Sequence, residues 1–261
     1  MPTYAVLGAT GATGQALLQI LLQSPKSTVN AYVRSKARLL KLSPQYTGND
    51  NLHVFEGALT DVAIIAGCIS NVTAVLCVLG ANENAPGLHV AQDAAHSIVA
   101  ACCHLKTQDP AVNLPKILFL TSATINPHLC RDLPAPAHWL LKTSFSYIYE
   151  DLAYAEAYLE LHKGWLNVTF IQPGGLVQDT QRGHAISLER QQTFLSYLDL
   201  AAGMIEAANA GEDLYKWKGV SVIPTSKGTK IEYRVPWLMF KGLLAHYLPL
   251  VFWTGKSLRL I

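Results

Sequence analysis

Three glycines, Gly8, Gly11 and Gly14, stand at three-residue spacing in GATGATGQ, directly after the apolar run TYAVLG and at the start of the leucine-rich TGQALLQILLQ. A glycine turn between a strand and a helix is built to bind phosphate. The first glycine permits the tight turn and the second lets backbone approach a pyrophosphate. The third lets the helix pack close, with the free N–H groups of its first turn aimed at the anion. The alternative is a turn needed only by the fold. No GxxxxGK[ST] pattern is present, so a triphosphate loop is not indicated. About twenty residues on, YVRSKAR supplies Arg34, Lys36 and Arg38 and no acid. An acid there would bind the ribose hydroxyls of NAD. Cations suit the 2′-phosphate of NADP(H), which Arg34 can contact through charge-assisted, bidentate hydrogen bonds. A solvated basic turn is the bland alternative.

These residues need a frame that delivers them to one edge. Apolar, β-rich runs at 3–8, 28–34, 52–57, 73–80, 116–122, 167–175 and 219–224 alternate with helical patterns at 13–23, 60–69, 88–106, 144–162 and 196–211. Such alternation predicts an α/β, Rossmann-type doubly wound parallel sheet covered on both faces. No repeat or linker interrupts it, so residues 1–261 read as one domain. The polar stretch 176–196 is expected to form a substrate-side loop, in which Arg182, His184 and Arg190 would read an acidic or phenolic group or keep the loop solvated. Residues 225–261 are expected to form a small C-terminal extension. Within it, VPWLMFKGLLAHYLPLVFW (235–253) is nearly long enough to span a bilayer, but Lys241, His246, two prolines and a glycine interrupt it. It reads as a cap over an apolar pocket, with core packing, a homodimer contact or a membrane surface as alternatives.

Composition narrows the partners. Of 261 residues half are hydrophobic and only 15% charged, with a formal net charge of +2. No basic run is present, which argues against nucleic acid and for a small apolar substrate. The five cysteines (Cys68, Cys77, Cys102, Cys103 and Cys130) show no metal-ligand spacing and read as small thiols in a reducing compartment. The first strand begins by residue 4, so the expected location is cytoplasmic.

LGATGATGQALLQILL, AYVRSKAR, LFLTSA, VTFIQPGGL and SYLDLAAGMIEA together resemble an atypical short-chain dehydrogenase/reductase. More narrowly, the chain is similar to the NmrA-like NAD(P)-binding proteins, nearest their fungal averufin-oxidase-like branch, over roughly residues 3–224. The resemblance implies that Gly8, Thr10, Gly11, Ala12, Thr13 and Gly14 hold the pyrophosphate, and Arg34 and Lys36 the 2′-phosphate. It places Ala58 and Leu59 at the adenine, with Ala58 where relatives often have an aspartate. Leu79, Gly80 and Ala81 fall beside the ribose and nicotinamide, and Pro173, Gly174, Gly175 and Leu176 flank the nicotinamide.

The resemblance also implies a proton relay: a serine after the fifth strand and a Tyr-x-x-x-Lys on the next helix, where the lysine lowers the tyrosine pKa. Ser122 fits the serine. The helix reads SFSYIYEDLAYAEAYLE, in which Tyr147 is followed four residues later by Asp151, an anion that would raise a phenol's pKa. Tyr149 and Tyr154 lead to Ala153 and Tyr158. Substitutes are Lys142, upstream of Tyr147, and His128 and His138 in the preceding loop. Asp151 would itself serve as a base if buried, or be a helix-face charge.

Three functions follow. One is an NADP(H)-dependent oxidoreductase of a small, largely apolar, secondary-metabolite-like substrate. The second is a non-redox cyclase, isomerase or dehydratase on the same scaffold. The third is an NADP-sensing regulatory protein, because fold alone does not choose among sites.

Overall fold

A computed structural model of the chain describes residues 1–211, 214–226, 228, 230 and 232–258. Strands β1 (Thr3–Leu7), β2 (Thr28–Val33), β3 (Leu52–Glu56), β4 (Ala74–Cys77), β5 (Lys116–Leu120) and β6 (Val168–Ile171) pair in parallel, and β10 (Gly219–Pro224) continues the parallel set beside β6. The sheet order is β3-β2-β1-β4-β5-β6-β10-β8, with β8 (His184–Ser187) antiparallel at the edge. A second, two-stranded pairing joins β7 (Leu176–Val177) to β9 (Leu195–Ser196). Strand order therefore reverses between β1 and β4. In a doubly wound sheet, that crevice at the carboxyl ends is where ligands bind.

Alternate strand residues serve opposite faces. Ala5, Leu7, Ile117, Phe119, Val168 and Phe170 point to the layer of α3 (Val62–Ile69), α4 (Val90–Gln108) and α6 (Ser146–Glu160). Tyr4, Val6, Leu76, Leu118, Ile171 and Val220 point to α1 (Ala12–Gln23), α2 (Lys36–Leu42) and α7 (Tyr197–Asn209). Burial on both sides is why these strands read as continuous apolar runs. Four of the five cysteines are buried, Cys103 is exposed, and all are free thiols.

Among the elements the sequence reading missed are β8 and α5. The polar stretch after residue 176 contains β8, which extends the sheet. The loop before α6 contains α5 (Ala135–Ser144), begun by prolines at 134 and 136. The expected cap, 225–261, is described except for residues 227, 229, 231 and 259–261. It forms α8 (Val235–Tyr247) and α9 (Pro249–Ser257). No helix among the described residues is long and apolar enough to cross a membrane.

Candidate active site

β1 delivers Gly8 to the switch point. Its φ is +101°, a region that favours glycine, and a Cβ there would sit 3.1 Å from the carbonyl carbon and oxygen of Val78, just past β4. Gly14 is held closer still: its Cβ would fall 2.2 Å from the Gly8 carbonyl oxygen and 2.7 Å from Ala9 Cα. Gly11 N–H donates to Gly8 O at 3.0 Å and closes the turn. At Gly11, the N-cap of α1, no side chain accepts from the helix, and its first turn carries no acid. The backbone N–H groups of Ala12, Thr13 and Gly14 thus keep their capacity for an outside anion. A bare cradle, a close-packed helix and an uncapped positive dipole end fit a dinucleotide pyrophosphate.

At the adenosine end, Arg34, Lys36 and Arg38 are all exposed, and none pairs with a described acid. Ser35 caps α2 by accepting from Arg38 N–H at 3.2 Å, which fixes the start of the basic helix beside Arg34. Ala58 is set by its backbone: its carbonyl accepts from Tyr32 Oη at 2.6 Å, and its N–H donates to Asp61 Oδ2 at 2.7 Å. Burial, with Asp61 adding to it, pushes the Tyr32 phenol up to about 12 and keeps it a donor. The Leu59 carbonyl accepts from Ser97 Oγ at 2.6 Å.

At the nicotinamide end, Leu79 is half-buried against the core, whereas Gly80 is exposed with open space where a Cβ would go. Ala81 continues the same loop. Beyond β6, Ala123 N–H donates to Pro173 O at 2.9 Å. Gly174 and Gly175 serve a close chain approach: a Cβ on Gly174 would lie 2.7 Å from Thr193 Oγ1, and Gly175 N–H donates to that oxygen at 3.1 Å. Leu176 lies in β7 and pairs with Leu195.

Among the tyrosines, it is Tyr149 that meets Ser122. Ser122, two residues past β5, caps a short 3-10 turn, accepting from Thr124 N–H. The Tyr149 hydroxyl lies near the side chains of both Ser122 and Thr124; burial raises its pKa, and these two polar neighbours oppose the rise. Tyr147, two residues earlier, turns away. Its N–H donates to Asn84 Oδ1 at 2.9 Å, and its ring packs against Ala85, Ala245 and Phe252.

Asp151 is 2% exposed and occupied. Its Oδ2 accepts from Ala91 N–H at 2.9 Å, and its Oδ1 accepts from Gln92 N–H at 3.1 Å and Gln92 Nε2 at 3.2 Å. It caps the N-terminus of α4 from a neighbouring helix, where a carboxylate is favoured. Lys142 is exposed on α5, and His128 is exposed beside Glu189 at 3.3 Å and Arg131. His138 is closer to the chemistry: its Nε2 lies 2.9 Å from the Thr124 carbonyl, inside the Ser122 turn. Arg182 and His184 are engaged with Asp179 and Glu206, both at 2.9 Å.

Sequence reasoning missed Glu156. On α6, two turns after Tyr149, it accepts from Thr121 Oγ1 and from Gln172 Nε2 at 2.7 Å, and Gln172 Oε1 accepts from Asn126 Nδ2 at 2.7 Å. Burial raises its pKa above the ordinary carboxyl value, against those two hydrogen bonds. This network ties the ends of β5 and β6 to the turn that carries Ser122. The seven-residue spacing from Tyr149 was the available signal.

Comparison with known proteins agrees with this geometry. A family profile described as NAD(P)H-binding matches residues 8–210. "Oxidoreductase ordB" of Dothistroma septosporum is 49% identical over 256 residues, covering 98% of this chain and 94% of that protein. "Oxidoreductase stcQ" of Emericella nidulans is 44% identical over 262 residues, covering 99% and 94%. Among solved structures, a short-chain dehydrogenase/reductase from Veillonella parvula in complex with NADP superposes with a TM-score of 0.66 at 17% identity, covering 89% of this chain and 99% of its own. That likeness shows a shared fold.

Proposed function

The chain belongs to the NAD(P)H-binding family, and from that premise we propose that it is an NADP(H)-dependent reductase of a small, largely apolar, secondary-metabolite-like carbonyl compound. The observation that carries the reading is the dinucleotide cradle at the switch point of the sheet, with the buried Tyr149 hydroxyl beside Ser122 and Thr124 past the carboxyl end of β5. The bound nicotinamide would supply the hydride. Tyr149 would hand its proton to the substrate oxygen while Ser122 holds that oxygen in place, and the buried phenol would then regain a proton from solvent. Gly8 to Gly14 would hold the pyrophosphate and Arg34 with Lys36 the 2′-phosphate. Half-buried Leu79, Ile125 and Ile148 would border an apolar substrate.

No ammonium follows Tyr149 at four residues, because position 153 is alanine. The proposed enzyme therefore works with a phenol that burial keeps protonated but makes a weaker acid, so its donation depends on placement against the substrate oxygen. Asp151, the residue that favoured the non-redox reading, has its carboxylate committed to α4.

Two measurements test the proposal. Titration followed by nicotinamide fluorescence should show Arg34→Ala weakening NADPH by roughly 1.5–3 kcal/mol while leaving NADH nearly unchanged. Equal losses for both would remove the 2′-phosphate assignment. Incubation with apolar ketones and quinones should consume NADPH; tight binding with no consumption across the panel would shift the reading to a sensor.

A further inference from the structure

The C-terminal helices are arranged inside out. α8 is apolar around its circumference, a pattern expected of a buried helix or one against lipid. Its inward side is docked by small and polar groups around the small apolar cluster of Ala85, Tyr147, Leu244 and Phe252. A Cβ on Gly242 would fall 1.7 Å from Ser144 O, and Ala245 is fully buried. Asn84 Nδ2 donates to the Gly242 carbonyl at 3.4 Å, and Ser146 Oγ lies 2.8 Å from His246 Nδ1. Glu83 bridges both helices, pairing with Lys241 at 3.2 Å and Lys256 at 2.6 Å. The aromatic side faces solvent. Trp237 and Phe240 stack at 5.5 Å while 51% and 53% exposed, and Tyr247, Leu250, Val251 and Trp253 continue the exposed surface onto α9.

Charge selects the occupant. From Tyr233 to Leu258 the chain carries Arg234, Lys241 and Lys256 and no Asp or Glu, and residues 134–146 across α5 add Lys142 and no acid. Arg234, three residues before Trp237, and Lys142 are both exposed. Glu83 is already spent on Lys241 and Lys256, and Glu232 is the one acid beside Arg234, so a two-fold contact with a second copy would bury a face of net positive charge against itself. An anionic lipid surface supplies the missing negative charge, and Trp and Tyr favour the headgroup boundary. We propose that the outer face of α8 and α9 is a peripheral membrane-binding surface that lies in the interface of an anionic bilayer. The helices lie on the bilayer and do not cross it. This inference stands apart from the redox reading.

Flotation of the full-length protein tests it, using vesicles of phosphatidylcholine alone and of phosphatidylcholine mixed with phosphatidylserine, with light scattering on the free protein. The wild type should float with the mixed vesicles, less with phosphatidylcholine alone, and less again in high salt. Trp237→Glu combined with Phe240→Glu should weaken partition about tenfold or more, with the cofactor titration unchanged as the check on folding. Arg234→Glu should weaken binding to the mixed vesicles only. Failure of the wild type to float with either vesicle would overturn the proposal. So would a double variant that floats as well as the wild type. A dimer in solution that the double variant dissociates would assign the face to a second copy and overturn it equally.

Discussion

Between Gly8 and Gly14 the binding surface is backbone, whereas between Ser122 and Glu156 it is side chain, and the two regions respond differently to substitution. In the first, what matters is the absence of atoms: a Cβ at Gly14 has no room against the Gly8 carbonyl. In the second, the polar side chains of one helix meet groups from other elements. Tyr149 meets the end of β5, Asp151 reaches the start of α4, and Glu156 joins β5 to β6. A glycine cradle is specified locally, within seven residues. The α6 side is specified by which face of one helix meets which strand, which is a property of the assembled layers.

The largest effect should come from separating the two tyrosines. Tyr149→Phe removes the hydroxyl that lies beside Ser122 and Thr124, and is expected to lower kcat by ~10²–10⁴-fold with cofactor affinity unchanged. Tyr147→Phe leaves the Asn84 contact intact, because that contact is made by backbone, and is expected to cost less than about tenfold. Steady-state kinetics on both variants decides: equal losses would erase the distinction between the neighbours.

Next in size is the glycine cradle. Gly14→Ala should destabilise by about 3 kcal/mol in denaturant unfolding and abolish the nicotinamide fluorescence titration. Gly80→Ala, with nothing within 4 Å of the added methyl, is the matched control and should change stability by less than about 0.5 kcal/mol. If both variants behaved alike, close packing would not be what the motif glycines provide.

The same contrast explains what could be read from the sequence. The parallel strands and the glycine turn were legible because a continuous apolar run and a three-residue glycine spacing each have one common structural cause. β8 was not, since an edge strand with one polar face reads as loop. Asp151 looked like a displaced relay residue because it stands at the right spacing from Tyr147. Its actual partners, Ala91 and Gln92, lie about sixty residues away. Tyr149 was passed over because position 153 holds alanine, although spacing alone cannot say which tyrosine faces Ser122. The run 235–253 was apolar enough to suggest a pocket cap. The structure turns much of it outward, because Gly242, Ala245 and the Glu83 ion pairs already satisfy the inward side.

Asp151 then tests whether α6 positions α4. Asp151→Asn keeps an acceptor but loses one carboxylate oxygen and the charge at the helix N-terminus. A cost of about 1–2 kcal/mol is expected in urea unfolding, with kcat changed much less than by Tyr149→Phe. A collapse of kcat with unchanged stability would instead make Asp151 part of the chemistry.

The smallest effect should be a change of slope with pH, and it separates two acids by sign. The Arg182 side chain and the Lys230 and Thr180 backbone N–H groups hold the Asp179 carboxyl at about 2, below its ordinary value of 3.8. Its contribution is therefore present above 3.8 and is lost as pH falls through about 2. Glu156 runs the other way. Its folded pKa is raised, chiefly by burial, above the ordinary 4.5. Below that value both states hold the proton and stability does not depend on it. As pH rises past 4.5 the unfolded chain releases a proton that the folded protein still keeps, so stability falls until the folded group also ionises. Glu156→Gln retains an oxygen for Thr121 and Gln172 and cannot ionise, so the fall above 4.5 should disappear while the acid limb set by Asp179 stays. Urea unfolding across this range reads both limbs. A variant with the wild-type slope above 4.5 would mean that Glu156 titrates as a solvated carboxylate, and the α6 side would lose its buried acid.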